Sequence, residues 1–204
     1  MQTLQEAFQH HFGIDRVQFI PGNETDIDTC TIQSKERKGV TFYSTVGLSN
    51  YTQPATEKNK AVNHVELVFC LPSYWDLNDS NPTMQWVKTW LQKLAKHLVE
   101  KQTWYGEGHT FPNGNPIEPI SETMKQKYLM LVSPAQFENE LTPLTFNDKT
   151  VHFFCIMPLF EDEFDYKMSK GTFKLRKKLN DKGVSELLDD FRMTGLKNKW
   201  RIFR

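Results

Sequence analysis

The chain has 204 residues, with 25 Lys plus Arg against 25 Asp plus Glu, so its formal net charge is zero. That balance excludes a chain-wide electrostatic pull toward nucleic acid or an anionic membrane. The length allows one well-buried core without forcing a second domain, and fifteen Phe, six Tyr and five Trp make that core aromatic.

In chain order, Leu4, Phe8 and Phe12 recur every four positions before Gly13, which predicts an amphipathic helix over residues 3–12 with a glycine stop. No basic start followed by an apolar block opens the chain, and no segment approaches the roughly 18 unbroken apolar residues that span a bilayer. A soluble, cytoplasmic protein is the expectation. Residues 17–20, 27–32 and 40–46 read as strands. Residues 64–71, His-Val-Glu-Leu-Val-Phe-Cys-Leu, form a nearly continuous apolar run expected of a central strand buried on both faces. The polar stretch 52–60 between them reads as a mobile loop.

Residues 82–101 predict the longest helix, with proline in the first turn and Trp86, Val87, Trp90, Leu91, Leu94, Ala95 and Leu98 on one stripe. Helical spacing assigns both tryptophans to the core rather than to a cofactor box. Residues 128–132 and 151–157 read as further strands, ending at Pro134 and Pro158. Beyond them come an acidic run, Glu161, Asp162, Glu163, Phe164 and Asp165, a basic run over residues 174–178, a helical pattern over 184–193, and an acid-free end over 197–204. The order predicts one α+β domain, a mixed β-sheet packed with helices, whose C-terminal part from about residue 159 is helical and charge-segregated.

The loop over residues 104–116 gathers backbone-permissive residues around one titratable side chain. Gly106, Gly108 and Gly114 allow dihedrals that β-carbons disfavour, Pro112 and Pro116 fix φ, and Asn113-Gly114 signals a turn. His109 either hydrogen-bonds its own loop or serves as a ligand or catalyst. Catalytic fingerprints are missing: Phe111 stands where a dinucleotide loop needs its third glycine, no phosphate-binding loop occurs, and Gly47-Leu48-Ser49-Asn50-Tyr51 lacks the closing glycine of a nucleophile elbow. Cys30, Cys70 and Cys155 are odd in number and widely spaced among strand-like neighbours, which fits buried thiols rather than a disulfide frame or a zinc knuckle.

The acidic run has three readings: a helix start, where negative charge is favoured, a partner-binding patch, or paired catalytic carboxylates. Residues 192–204 carry five basic residues and Trp200 without an acid. Single-strand binding would call for a longer groove with more interleaved aromatics, so no nucleic-acid partner is assigned.

Several pieces together resemble the suppressor of fused family: Val46-Gly47-Leu48-Ser49, Glu66 through Pro72, the helix stretch Trp90 through His97, Gly108-His109, and Pro158 through Phe164. They span roughly residues 40–175 as an ordered set. In animals this domain is the N-terminal half of a two-domain protein that clamps a short peptide of Gli transcription factors by strand addition. Single-domain bacterial versions are proposed to include immunity proteins that neutralise toxins. The resemblance therefore implies a protein-binding module. The animal proteins carry an acidic residue before proline in a peptide-contacting loop, where this chain has Ser133-Pro134, so recognition of that peptide is not carried over.

The expectation is a non-enzymatic module that binds a protein, a toxin in the immunity reading, with no cofactor and no metal. Its candidate partner-binding residues are Tyr105, Glu107, His109, Asn113, Glu161, Asp162, Glu163 and Asp165, and Gly106, Gly108 and Gly114 shape the loop. An enzyme built on Glu107, His109 and a remote carboxylate, with or without a metal, and a regulatory adaptor with a stable partner are the alternatives.

Overall fold

Thr3 caps the first helix, α1 (Leu4–Phe12), by accepting from the Glu6 amide while the Glu6 carboxylate accepts from Thr3 N–H. The computed structural model describes residues 2–57 and 62–196. A meander follows: β1 (Val17–Ile20), β2 (Asp28–Gln33), β3 (Thr41–Val46) and β4 (His64–Leu71), each antiparallel to the last. Then come α2 (Pro82–Glu100), β5 (Thr110–Pro112), β6 (Tyr128–Val132), β7 (Leu144–Phe146), β8 (Lys149–Leu159), α3 (Glu161–Lys170) and α4 (Thr172–Asn180).

The strands form one eight-stranded mixed sheet in the order β1-β2-β3-β4-β8-β6-β5, with β7 also on β8. Strand β4 lies parallel to β8, from His64↔Val151 to Val68↔Cys155. Its residues 65–71 are all buried, as expected of a central strand. Val65, Leu67, Phe69 and Leu71 pack with the apolar stripe of α2, including Trp86 and Trp90. Val68 and Cys70 join a second cluster with Phe8 and Phe12 of α1 and Leu175 and Leu179 of α4, against which Phe164 of α3 packs. The three cysteines are buried and free, as their spacing predicts.

Three expectations are corrected. Strand β8 runs through Pro158 instead of stopping before it. Pairing with β4 ends at Cys155, so the missing proline N–H breaks no β4 ladder, and the Pro158 carbonyl accepts from Arg192 at 2.7 Å. Residues 184–193 are not helical. They form an extended strap, with a Cys70↔Leu187 bridge and Leu188 N–H donating to Cys70 C=O at 2.9 Å, so tertiary pairing overrides local helical pattern. The 52–60 loop is not wholly loose: Gln53 is 2% exposed, and its amide meets both the N–H and the C=O of Tyr105, at 2.6 and 3.2 Å. Residues 58–60, and the basic end at 197–204, lie outside the described residues.

Candidate functional site

The glycine-rich loop is held against the sheet and α4. Gly108 N–H donates to Leu131 C=O, and Leu131 N–H donates back to His109 C=O, each at 2.8 Å. Gly108 has φ +83°, and a β-carbon there would collide with the Thr172 side chain at the start of α4. Gly114, at φ +91°, also needs glycine. Asn113 donates through its side-chain amide to the Glu118 and Pro119 carbonyls, at 3.1 and 2.8 Å, which makes it a brace of its own turn. His109 is half-buried, its N–H donates to Gly106 C=O at 3.1 Å, and its ring lies 4.2 Å from that of Trp104.

Tyr105 is 1% exposed, so a docking partner does not reach it. Its hydroxyl donates to Leu94 C=O at 2.9 Å and contacts His97 Nδ1 at 2.9 Å. Burial pushes the Tyr105 hydroxyl pKa up. Glu107 is exposed, accepts from Ser133 N–H, and lies 3.5 Å from Arg176 Nη1, whose guanidinium also donates to Ser133 C=O.

The acidic run begins α3, with Glu161, Asp162 and Glu163 in the first turn, the arrangement the helix dipole favours. Its four acids are not one patch. Glu163 is fully buried: its two carboxylate oxygens meet Arg192 Nη1 and Nη2 at 2.7 and 2.8 Å and accept from Gly195 and Phe160 N–H at 2.9 Å. Asp162 accepts from Glu163 N–H and the Thr194 hydroxyl, at 2.9 and 2.8 Å. Glu161 pairs with Lys127 at 2.9 Å on the surface, and Asp165 is exposed. The loop and α3 are neighbours, because Lys167 donates to the Thr110 hydroxyl at 3.1 Å.

Three further acids carry structure that the sequence reading missed. Glu66 is buried in β4 and accepts from the Thr45 hydroxyl and from Gly47 and Ser49 N–H, at 2.9 and 3.1 Å for the two amides. Burial raises its carboxyl pKa to about 7 against the pull of those donors. Glu140 accepts from Arg16 at 2.8 Å and from Ser34 and the Lys35 amide. Burial alone would raise its pKa, but the hydrogen bonds outweigh burial and hold it below the usual carboxylate range. Glu186, 1% exposed, accepts from three consecutive amides, Ala135, Gln136 and Phe137, at 2.7, 2.6 and 3.2 Å. One signal was available: Glu66 is a single acid inside an apolar run.

Among the described residues no three His, Cys, Asp or Glu side chains sit close enough to hold a metal ion. A concavity of about 820 Å³ runs between α2, the turn at Asp26 and β5. Trp90, Phe111 and Pro112 supply apolar walls, Lys88, Lys93 and Lys96 supply cations, and His97 lines it too. Smaller cavities of about 220 and 370 Å³ lie beside Ser133-Pro134 and beside Glu140. None of the three is lined by His109, Glu107 or the acidic run.

Fold and site together define an α+β scaffold whose connecting loops are pinned by internal carboxylates and whose α2 groove is bordered by a rigid loop. The sequence profile of the Suppressor of fused protein (SUFU) family matches residues 23–192. The chain belongs to that family. It is 24% identical over 160 residues to Immunity protein YqcF of Bacillus subtilis (strain 168), covering 78% of this chain and 77% of that protein. The crystal structure of a SUFU homolog from Neisseria gonorrhoeae FA 1090 superposes with TM-score 0.67 at 15% identity, covering 96% of each chain. A chain of the Sufu-Fu complex superposes with TM-score 0.64 at 14% identity, over 93% of this chain and 89% of that one. Among the described residues no helix is long and apolar enough to cross a membrane.

Proposed function

We propose that this chain is a non-enzymatic protein-binding module that acts as an immunity protein in the cytoplasm, neutralising a toxin by direct binding. The observation that carries this reading is the similarity to Immunity protein YqcF across more than three quarters of both chains. The geometry supports it. The loop over residues 104–116 is fixed to β6 and α4, so it offers a surface formed before a partner arrives, which lowers the ordering cost of association. The candidate contacts are Glu107, His109, Glu161 and Asp165, with Asn113 and the loop glycines as framework. Tyr105 and Glu163 hold that surface from within. Where the resemblance places an acid before proline, Ser133 stands here, and the nearby Glu107 carboxylate is engaged by Ser133 N–H and Arg176.

The test is co-expression, at graded ratios, with a panel of toxic polypeptides drawn from the organism that encodes this chain. Neutralisation by binding predicts that growth recovers only near equimolar expression and that both chains co-purify in a fixed ratio. Recovery at strongly sub-stoichiometric levels without a complex points to the enzyme built around His109 instead. A specific observation also favours the adaptor reading: Phe173, Phe191, Met193 and Met168 are 81, 79, 76 and 64% exposed, and exposed apolar groups of this size suit a lasting interface.

A further inference from the structure

The groove along α2 carries chemistry that the sequence reading did not assign. Lys88 and Lys93 form no ion pair among the described residues, while Lys96 is engaged by Asp26 at 2.8 Å. Lys93 Nζ sits 4.2 Å from the centre of the Trp90 ring, a cation held over an aromatic floor. With Asp26 and Glu100 as the acids among the lining residues, three lysines leave a net positive wall.

His97 adds a directional group. The Tyr105 hydroxyl has one proton and donates it to Leu94 C=O at 2.9 Å, so at its 2.9 Å contact with His97 it accepts from Nδ1–H. That fixes the tautomer and leaves Nε2 as the acceptor of an imidazole that lines the groove. The orientation is locked because Tyr105 is buried and its own N–H and C=O are held by Gln53. Trp90, Phe111 and Pro112 give the same groove an apolar slot. Strand addition on β5 suits this place poorly, since the strand is three residues long and ends in Pro112, which has no N–H to donate.

We infer that this groove receives an acidic segment of a partner protein, with one apolar side chain in the slot, flanking carboxylates on Lys88 and Lys93, and a main-chain N–H on His97 Nε2. The inference rests on the protein-binding reading above and gives this groove its own polarity: here the partner brings acids to basic groups, while Asp162 and Glu163 of the α3 turn are spent inside the chain. A volume of about 820 Å³ accommodates such a side chain with its flanking backbone.

The test is selection of a random twelve-residue peptide library on the intact protein, followed by titration of the best synthetic peptide against Trp fluorescence. The expected consensus is an aromatic or aliphatic residue flanked by Asp or Glu. Affinity should fall at least tenfold in Lys88→Glu/Lys93→Glu and measurably in Lys88→Gln/Lys93→Gln, with unchanged circular dichroism. His97→Ala should weaken binding without changing its salt dependence. A basic or neutral consensus, no enrichment, full binding by the Gln double variant, or displacement of the peptide by a dT10 oligonucleotide would each overturn the inference. A basic consensus alongside equimolar growth rescue would leave the immunity reading standing and remove only this groove from it. An acidic consensus without any rescue would do the reverse.

Discussion

Around the core cluster covered by α1, α3 and α4, Glu140, Glu163 and Glu186 spend their carboxylates on amides or arginines of the same chain, whereas along α2 two lysines form no ion pair among the described residues. Of these acids only Glu163 belongs to the run that the sequence offers as a partner-binding patch, and in the structure all three act as fasteners. The lysines look like the ordinary wet side of a helix and border a concavity of about 820 Å³. Charge type and run length did not separate the two cases; what separates them is whether backbone amides elsewhere in the chain lack another acceptor.

Removing the strongest fastener gives the largest effect. Arg192→Ala leaves Glu163, which is 0% exposed, with an uncompensated charge and should cost about 3–5 kcal/mol in urea unfolding. A loss under about 1 kcal/mol would show that the pair is dispensable and weaken the contrast. Glu186→Ala strips one acceptor from three successive amides and should cost about 2–4 kcal/mol, with faster hydrogen exchange at Ala135, Gln136 and Phe137 as its local signature. Unchanged exchange there would mean that the strap is not what holds the loop.

Glu66 sharpens the comparison through pH. Its folded-state pKa, about 7, lies above the ordinary 4.5, so the folded state binds the proton more tightly than the unfolded chain. Its contribution is therefore most favourable below about pH 4.5 and is lost as pH rises toward 7, by about 3 kcal/mol at most. Subtracting the stability profile of Glu66→Gln should isolate this slope from that of Glu140, whose lowered pKa acts at lower pH with the opposite sign. A flat difference between pH 4.5 and 7 would refute the burial argument. The smallest effect belongs to Glu161→Gln: the Lys127 pair is exposed, so the unfolding midpoint should not move measurably in moderate salt.

Much of the fold was legible because periodicity reports burial directly. The nearly continuous apolar run of β4 and the two-tryptophan stripe of α2 could only be core, and Gly108 and Gly114 do sit at positive φ in an irregular loop. Residues 184–193 were not legible, since their pattern suits a helix and only the uncovered end of β4 makes a strap better. The site was legible in part. The loop borders the groove through Phe111 and Pro112, yet Tyr105 and Glu163 were assigned to a surface they do not reach. Their partners, Leu94 C=O and Arg192, come from other elements, and no local spacing announces them.

The parallel pairing of β4 with β8 sets the order in which this protein can be completed. As the chain leaves the ribosome, β1 to β4 can assemble as a meander from neighbouring segments, but the apolar β4 then presents a bare edge until residues 149–159 have been made. During synthesis this central strand waits longest for its partner. A chain halted before β8 therefore exposes an open, sticky sheet edge rather than a smaller stable domain.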